Sequence, residues 1–289
     1  LGTAGGPVPK LHRAQPSHAI IRGDRVILID CGEGAMQQLM RAGIDFRRVE
    51  KIILSHHHFD HIGSLFTCLG INMMLQRKQP ITIFGPPGTR QIVEGLAMAC
   101  DVPQAIGFGV AGQSLPHPRD FVQVEEIAPG RTFEIDDIRI SCCENTHYRT
   151  ETELGTKGPI SLSLRFDAPD RSIVYTGDTG PCRMVENLAK GVQLLVCEMM
   201  LAEQIIAQLQ EKNPHMTSER IAMMGQHLHS HHLSPEQLGD LAARAGVAHV
   251  VAVHIPLDSI TPKTAPEFTA RISQVFSGQV SIANDLDQF

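Results

Sequence analysis

No stretch of this chain is rich in lysine or arginine, and the formal net charge is −6. Without a basic run there is no obvious electrostatic footprint for a polyanion, so nucleic acid is not the expected partner. There is no CxxC pair either, and the seven cysteines (31, 68, 100, 142, 143, 182 and 197) make an odd count. In a chain of 289 residues that argues against a disulfide scaffold and for free buried thiols, with vicinal Cys142-Cys143 read as strand packing. No apolar run reaches membrane-spanning length, so no membrane span is expected. No internal repeat or low-complexity linker divides the chain, tryptophan is absent and there are two tyrosines. The chain begins at Leu1 rather than at a methionine, which leaves two compartments open: the cytoplasm, or the periplasm or exterior if an upstream signal peptide was removed.

Hydrophobic residues make up 42% of the chain and charged residues 19%, enough for a sizeable core and contrary to disorder. Strand-like runs recur at 18–22, 25–29, 51–54, 81–84, 131–135, 137–142, 160–166, 171–176, 192–197 and 248–253. Several are short and continuously apolar, as in strands covered on both faces. Turns at Asp136-Asp137 and at Asp167-Ala168-Pro169-Asp170 predict two hairpins. Helical patterns fall at 35–42, 64–76, 87–99, 182–189, 199–210, 217–230 and 235–245. The last has Ser234 as N-cap, Pro235 at the first helical position, Gln237 closing a capping box and Gly246 at the exit. The expected architecture is one α/β domain over residues 1–289, two mixed sheets covered by helices, with a methionine-rich helical insertion at about 199–231.

The chain is rich in histidine, with 15, and the chemistry gathers there. Residues 55–61 read Ser-His-His-His-Phe-Asp-His, directly after the apolar run ending at Leu54. Three imidazoles (His56, His58, His61) and the Asp60 carboxylate are poor core material, because burying them unpaired is costly. They are good ligands for zinc or a similar first-row ion. His57 faces the other way along the loop and reads as structural. His147, Asp178, Glu198 and His254 each stand at or just past an apolar strand, where a rigid sheet presents groups to a shared cleft. Together they point to a two-metal hydrolase. Metals about 3.5–4 Å apart can share one hydroxide and hold both the attacking and the leaving oxygen.

The order His-x-His-x-Asp-His, then His147, then Gly177-Asp178-Thr179, then a late His254 resembles the metallo-β-lactamase superfamily. Within it, the chain is similar to ribonuclease Z and its arylsulfatase-like relatives. Leu1-Gly2-Thr3-Ala4-Gly5-Gly6-Pro7, Asp30-Cys31-Gly32-Glu33-Gly34 with Gln37, and His232-Leu233-Ser234 add to the likeness. The resemblance implies a four-layer αββα sandwich holding two Zn2+ ions, with Mn2+ or Fe2+ as substitutes. It places His56, His58 and His147 on one metal, Asp60, His61 and His254 on the other, and Asp178 between them. It makes His232, Glu198 and Asp60 catalytic, with His232 as general acid, Glu198 orienting it and Asp60 doubling as ligand. Asp30 becomes a support for the ligand loop.

Two departures separate the chain from the ribonuclease Z pattern. Only a short hairpin lies between His147 and Asp178, where that family usually carries a long arm that grips tRNA. An extra helical stretch with Met199, Met200, Met216, Met223 and Met224 lies between Glu198 and His232. Both departures favour a small apolar or aromatic substrate with an ester-type bond, an aryl sulfate or a phosphodiester. The alternatives are a ribonuclease Z-like RNA phosphodiesterase, or hydrolysis of a lactone, amide or carbon–halogen bond. From other classes stand an iron-dependent redox enzyme and a scaffold with a degenerate site. A homodimer is the family-like expectation. His215 competes with His232 for the functional role, while His227, His229 and His231 read as solvated or interface residues.

Overall fold

The structure, a computed structural model, describes residues 1–110 and 112–289. Strands β1 (His18–Arg22), β2 (Arg25–Ile29), β3 (Val49–Ile53), β4 (Ile81–Gly85) and β5 (Val122–Glu126) form one sheet in that order. The second sheet runs β12-β11-β10-β9-β8-β7-β6, built from β6 (Thr132–Ile135), β7 (Ile138–Glu144), β8 (Leu162–Asp167), β9 (Ser172–Tyr175), β10 (Leu194–Glu198), β11 (His249–Val253) and β12 (Gln279–Ile282). Both sheets are mixed. β1 is antiparallel to β2 while β2 through β5 are parallel. β6 through β9 are antiparallel while β9 through β12 are parallel.

Strand periodicity divides the core into layers. In β2, Ile27 and Ile29 face the other sheet and Val26 and Leu28 face helices. In β11, Val251 and Val253 face the first sheet and Val250 and Ala252 face helices. The outer layers are helices Ala35–Arg41, Leu65–Met74 and Thr89–Ala99 on one side, and Arg183–Leu188, Pro235–Ala245 and Ala265–Ile272 on the other. This is the expected αββα order, with two mixed sheets flanked by helices. All seven cysteines are free and buried, and no helix among the described residues is long and apolar enough to cross a membrane.

The hairpin turns fall where aspartate and proline place them, between β6 and β7 and between β8 and β9. The expected list lacks β5 and β12. Val122-Gln-Val-Glu-Glu and Gln279-Val-Ser-Ile carry too many polar residues to stand out as strands. Each lies at the edge of its sheet, where one side needs no apolar partner. The insertion resolves into helices Ala202–Lys212 and Ser218–His231, in which only Ala202 and Gly225 are buried. Its methionines do not form one pocket: Met199 and Met200 are buried before the first helix, while Met223 is 67% exposed.

Helix Pro235–Ala245 is capped as its sequence predicts. Ser234 Oγ accepts from the Gln237 amide (3.2 Å), Gln237 Oε1 accepts from the Ser234 amide (2.9 Å), and Gly246 closes the end with φ 64°. Ser234→Ala removes one side of that exchange and should lower the unfolding free energy by about 1 kcal/mol. In a chain of this size that is a fall in Tm of about 2 °C, readable by thermal denaturation.

Candidate metal centre

Parallel strands end on the same side of a sheet, and the chemistry collects at those ends. β3 leads into the loop Leu54–His58 and the short helix Phe59–Ile62, which carry His56, His58, Asp60 and His61. His147 lies beyond β7, Asp178 beyond β9, Glu198 ends β10 and His254 follows β11. His254 has φ 55°, a strained conformation for a non-glycine residue. Its place depends on Gly5, because any Cβ there would run into the His254 carbonyl. Gly5 and Gly6 thus form a tight turn against the cleft.

Three ring nitrogens converge on one point. His58 Nδ1 lies 3.2 Å from His56 Nε2 and 2.9 Å from His147 Nε2. The opposite nitrogens of two of these rings are already engaged: His56 Nδ1 is 3.0 Å from Ser55 Oγ, and His147 Nδ1 is 3.3 Å from the His231 carbonyl. Those partners take the ring protons, so bare lone pairs point inward. Four ligands on a tetrahedral zinc with bonds of about 2.0–2.1 Å stand about 3.3 Å apart, close to the spacing seen. Burial lowers His56 and His147 well below the usual imidazole range, with neighbouring histidines adding to the effect, so both rings are neutral and fit to ligate.

A second group adjoins it. His61 Nδ1 donates to Asp30 Oδ2 (2.7 Å), which leaves Nε2 without a hydrogen-bond partner, 3.6 Å from Asp60 Oδ2. His254 Nε2 is 3.4 Å from Asp60 Oδ2 and 3.2 Å from the Gly6 amide nitrogen. Asp178 reaches both groups: Oδ2 is 3.1 Å from His254 Nε2 and 3.8 Å from His147 Nε2, and Oδ1 is 3.4 Å from His61 Nε2. Asp178 Oδ1 has no hydrogen-bond donor of its own. Burial alone would raise Asp178, but His254 and His61 hold it well below the carboxylate range. Burial alone would lower His61, but Asp178 and Asp30 raise it. The pocket is therefore a buried, electron-rich set that calls for positive charge, and its donors suit divalent metal ions.

Glu198 and His232 form the adjoining pair, with His232 Nδ1 2.7 Å from Glu198 Oε2 and Glu198 Oε1 accepting the Thr179 amide. His232 Nε2 is left as the free ring nitrogen. Burial, helped by Asp178, raises Glu198, and burial lowers His232, so both shifts favour uncharged forms. His232 arrives at the end of helix Ser218–His231, whose last turn packs against the loop after Asp178. Gly180 permits that approach, since a Cβ there would strike the Ser230 carbonyl. His215 lies at the far end of the hairpin, about 20 Å away along a helix of that length. It does not compete for the site.

His57 turns outward to Thr89 Oγ1 (2.8 Å), as the sequence suggests. Reading the sequence overlooks three participants. Tyr175 donates to Asp30, and Tyr148 stands edge-on to His58 with ring centroids 5.1 Å apart. His227 is the third: it is exposed, as the sequence suggests, and its ring lies beside those of His231 and His232, with centroids 5.1 and 5.7 Å away. Tyr148 directly follows His147, a signal that could have found it, whereas Tyr175 reaches the site through the pairing of β9 and His227 through the return of the helical hairpin.

The family model for the beta-lactamase superfamily domain matches residues 25–255. A ribonuclease Z from Mycobacterium sp. (strain KMS) is 30% identical over 291 residues, covering 99% of this chain and 93% of that protein. Among solved structures, the metallo-β-lactamase fold protein YhfI from Bacillus subtilis superposes with TM-score 0.70 at 17% identity, over 98% of this chain and 94% of its own. The short form of human tRNase Z does so with TM-score 0.66 at 18% identity, over 99% and 95%. The expectation that nucleic acid is not a partner fails here: relatives matched over nearly the whole chain are ribonucleases by name. Net charge averages over the whole surface, and it misled. An aryl sulfate substrate finds no support among these relatives.

Asp178→Ala should lose bound metal along with activity, because it removes the carboxylate both groups share. Elemental analysis of the purified variant checks this, and undiminished occupancy would refute the bridging assignment. Asp30→Ala should weaken metal binding by about 10–100-fold by freeing His61 to turn, measured by competition with a chromogenic chelator. Ligand set, fold and relatives agree that this chain is a metal-dependent hydrolase of the metallo-β-lactamase superfamily, on its ribonuclease Z branch.

Proposed function

We propose that this protein is a zinc-dependent phosphodiesterase that cleaves RNA. The observation that carries the reading is the pairing of two ligand groups joined by Asp178 with the His232–Glu198 dyad beside them. The ribonuclease Z relatives support RNA as the substrate class. His56, His58 and His147 would hold one ion, Asp60, His61 and His254 the other, and Asp178 would touch both. When bound, the two ions supply Lewis acidity and lower the pKa of water at the site.

The chain's own groups then divide the work. Asp30 fixes the His61 tautomer. Glu198, favoured by burial as the protonated carboxyl, donates to His232 Nδ1 and fixes the ring with its own proton on Nε2; that proton passes to the departing oxygen as its bond to phosphorus breaks, and the Glu198 proton moves to Nδ1. Asp60 keeps its charge beside His254, adding to the negative field that would hold the metal ions. The brief segment between β7 and β8, a turn at Glu151–Glu153 in place of a long arm, favours a second reading in which the diester is a small molecule.

The test is zinc-loaded protein on an RNA bearing a 3′ extension, beside an aryl phosphodiester and an aryl sulfate. Cleavage of the RNA supports the proposal. Cleavage of the aryl diester alone moves the assignment to a small molecule, and turnover of the sulfate alone overturns both readings. His232→Ala should retain its metal and lose about 10²–10⁴-fold in kcat. A variant as active as wild type would place the proton donor elsewhere.

A further inference from the structure

One ligand residue in the candidate centre faces solvent. His56, Asp60, His61, His147, Asp178 and His254 are all exposed by 3% or less, whereas His58 is exposed. Substrate must therefore enter across His58. The next residue, Phe59, is 80% exposed. An exposed phenylalanine alone needs no explanation, but this one is held between two ligand residues in the first turn of helix Phe59–Ile62. It also lines a groove of about 390 Å³ with Pro7, Gln15, Glu33, Ser64 and Thr67. The groove adjoins the metal ligands from a second side, because Pro7 follows Gly6, whose amide nitrogen lies 3.2 Å from His254 Nε2. Its floor is braced by Gln15, which donates to the Pro7 carbonyl (3.1 Å) and accepts from the Glu33 amide (3.3 Å).

The lining tells which part of a nucleotide would fit. It contains no lysine or arginine, so a second phosphate gains nothing there. It offers one aromatic face together with amide, hydroxyl and carboxylate groups, which match a flat, neutral ring with hydrogen-bonding edges.

We propose that Phe59 and this groove form a nucleobase subsite, in which the ring stacks on the base of the nucleotide that keeps the cleaved phosphate. The inference rests on the phosphodiesterase reading and deepens it. Stacking on one aromatic side chain is worth roughly tenfold or more in affinity, and every base has a face to offer. The subsite would thus favour nucleotides over simple diesters without choosing strongly among sequences.

The experiment compares two diesters with the same leaving group, thymidine 5′-(p-nitrophenyl phosphate) and methyl p-nitrophenyl phosphate, on zinc-loaded protein. Wild type should prefer the nucleotide by roughly tenfold in kcat/KM, chiefly through KM. Phe59→Ala should lose that preference and Phe59→Trp should keep it. In parallel, binding of 2-aminopurine riboside 5′-monophosphate should quench its fluorescence with wild type and Phe59→Trp but not with Phe59→Ala. A preference or quench that survives in Phe59→Ala, or a wild type without preference, overturns the subsite. Failure of wild type to cleave either diester or the RNA with a 3′ extension overturns the phosphodiesterase reading instead, and the fluorescence result still decides whether the groove takes a base.

Discussion

A single buried carboxylate, Asp30, ties together the parts from which the centre is made. It stands at the exit of β2 with no exposure, and its oxygens accept from the Ser55 amide (2.7 Å), Ser55 Oγ (2.8 Å), His61 Nδ1 (2.7 Å) and Tyr175 O–H (2.7 Å). Those donors come from the exit of β3, the ligand helix and the end of β9 in the opposite sheet. A buried carboxylate without such partners would be very costly, so the donors hold Asp30 and are held by it. The backbone at Asp30 is in the left-handed region (φ 55°), a strain the four bonds outweigh. Ser55 passes the order on, since its hydroxyl meets His56 Nδ1. One acid thereby sets the facing of ligand rings in both groups.

The rest of the molecule gives that arrangement rigidity and access. Two sheets share an apolar interior of residues such as Ile53, Phe84, Leu164 and Val253, and rigid strand ends aim their last residues more accurately than free loops would. The helical hairpin Ala202–His231 is attached differently. Little of it is buried, yet its last turn is pinned at Gly180, and that contact sets His232 next to Glu198. Its outer length is free to vary without disturbing the centre.

The metal-binding character was legible in the chain because it is written locally. His56, His58, Asp60 and His61 lie within six positions after a strand, and no packing argument explains them otherwise. The more distant members were legible through their places at strand ends. The capping box at Ser234–Gln237 was equally plain, since its geometry depends on four consecutive residues. Edge strands β5 and β12 were not, because their polar residues blur the period that marks a half-buried strand. Tyr175 and His227 were not, because a residue's neighbours across a sheet or along a returning hairpin leave no trace in its own segment. The low net charge suggested the wrong partner class for a related reason: a sum over the chain says nothing about where charge is placed.

By itself the sequence determined the donor chemistry, the alternation of apolar strands and helices, and the short turns and caps, all of which follow from interactions between residues near one another in the chain. The tertiary structure decided what depends on long-range meeting. It brought Asp178 within 3.1 Å of His254 and 3.4 Å of His61, put His232 rather than His215 beside Glu198, turned His57 outward, and left His58 and Phe59 exposed at the edge of an otherwise buried centre. Distance, facing and exposure are properties of packed surfaces, and packing is settled only when both sheets close on their common core.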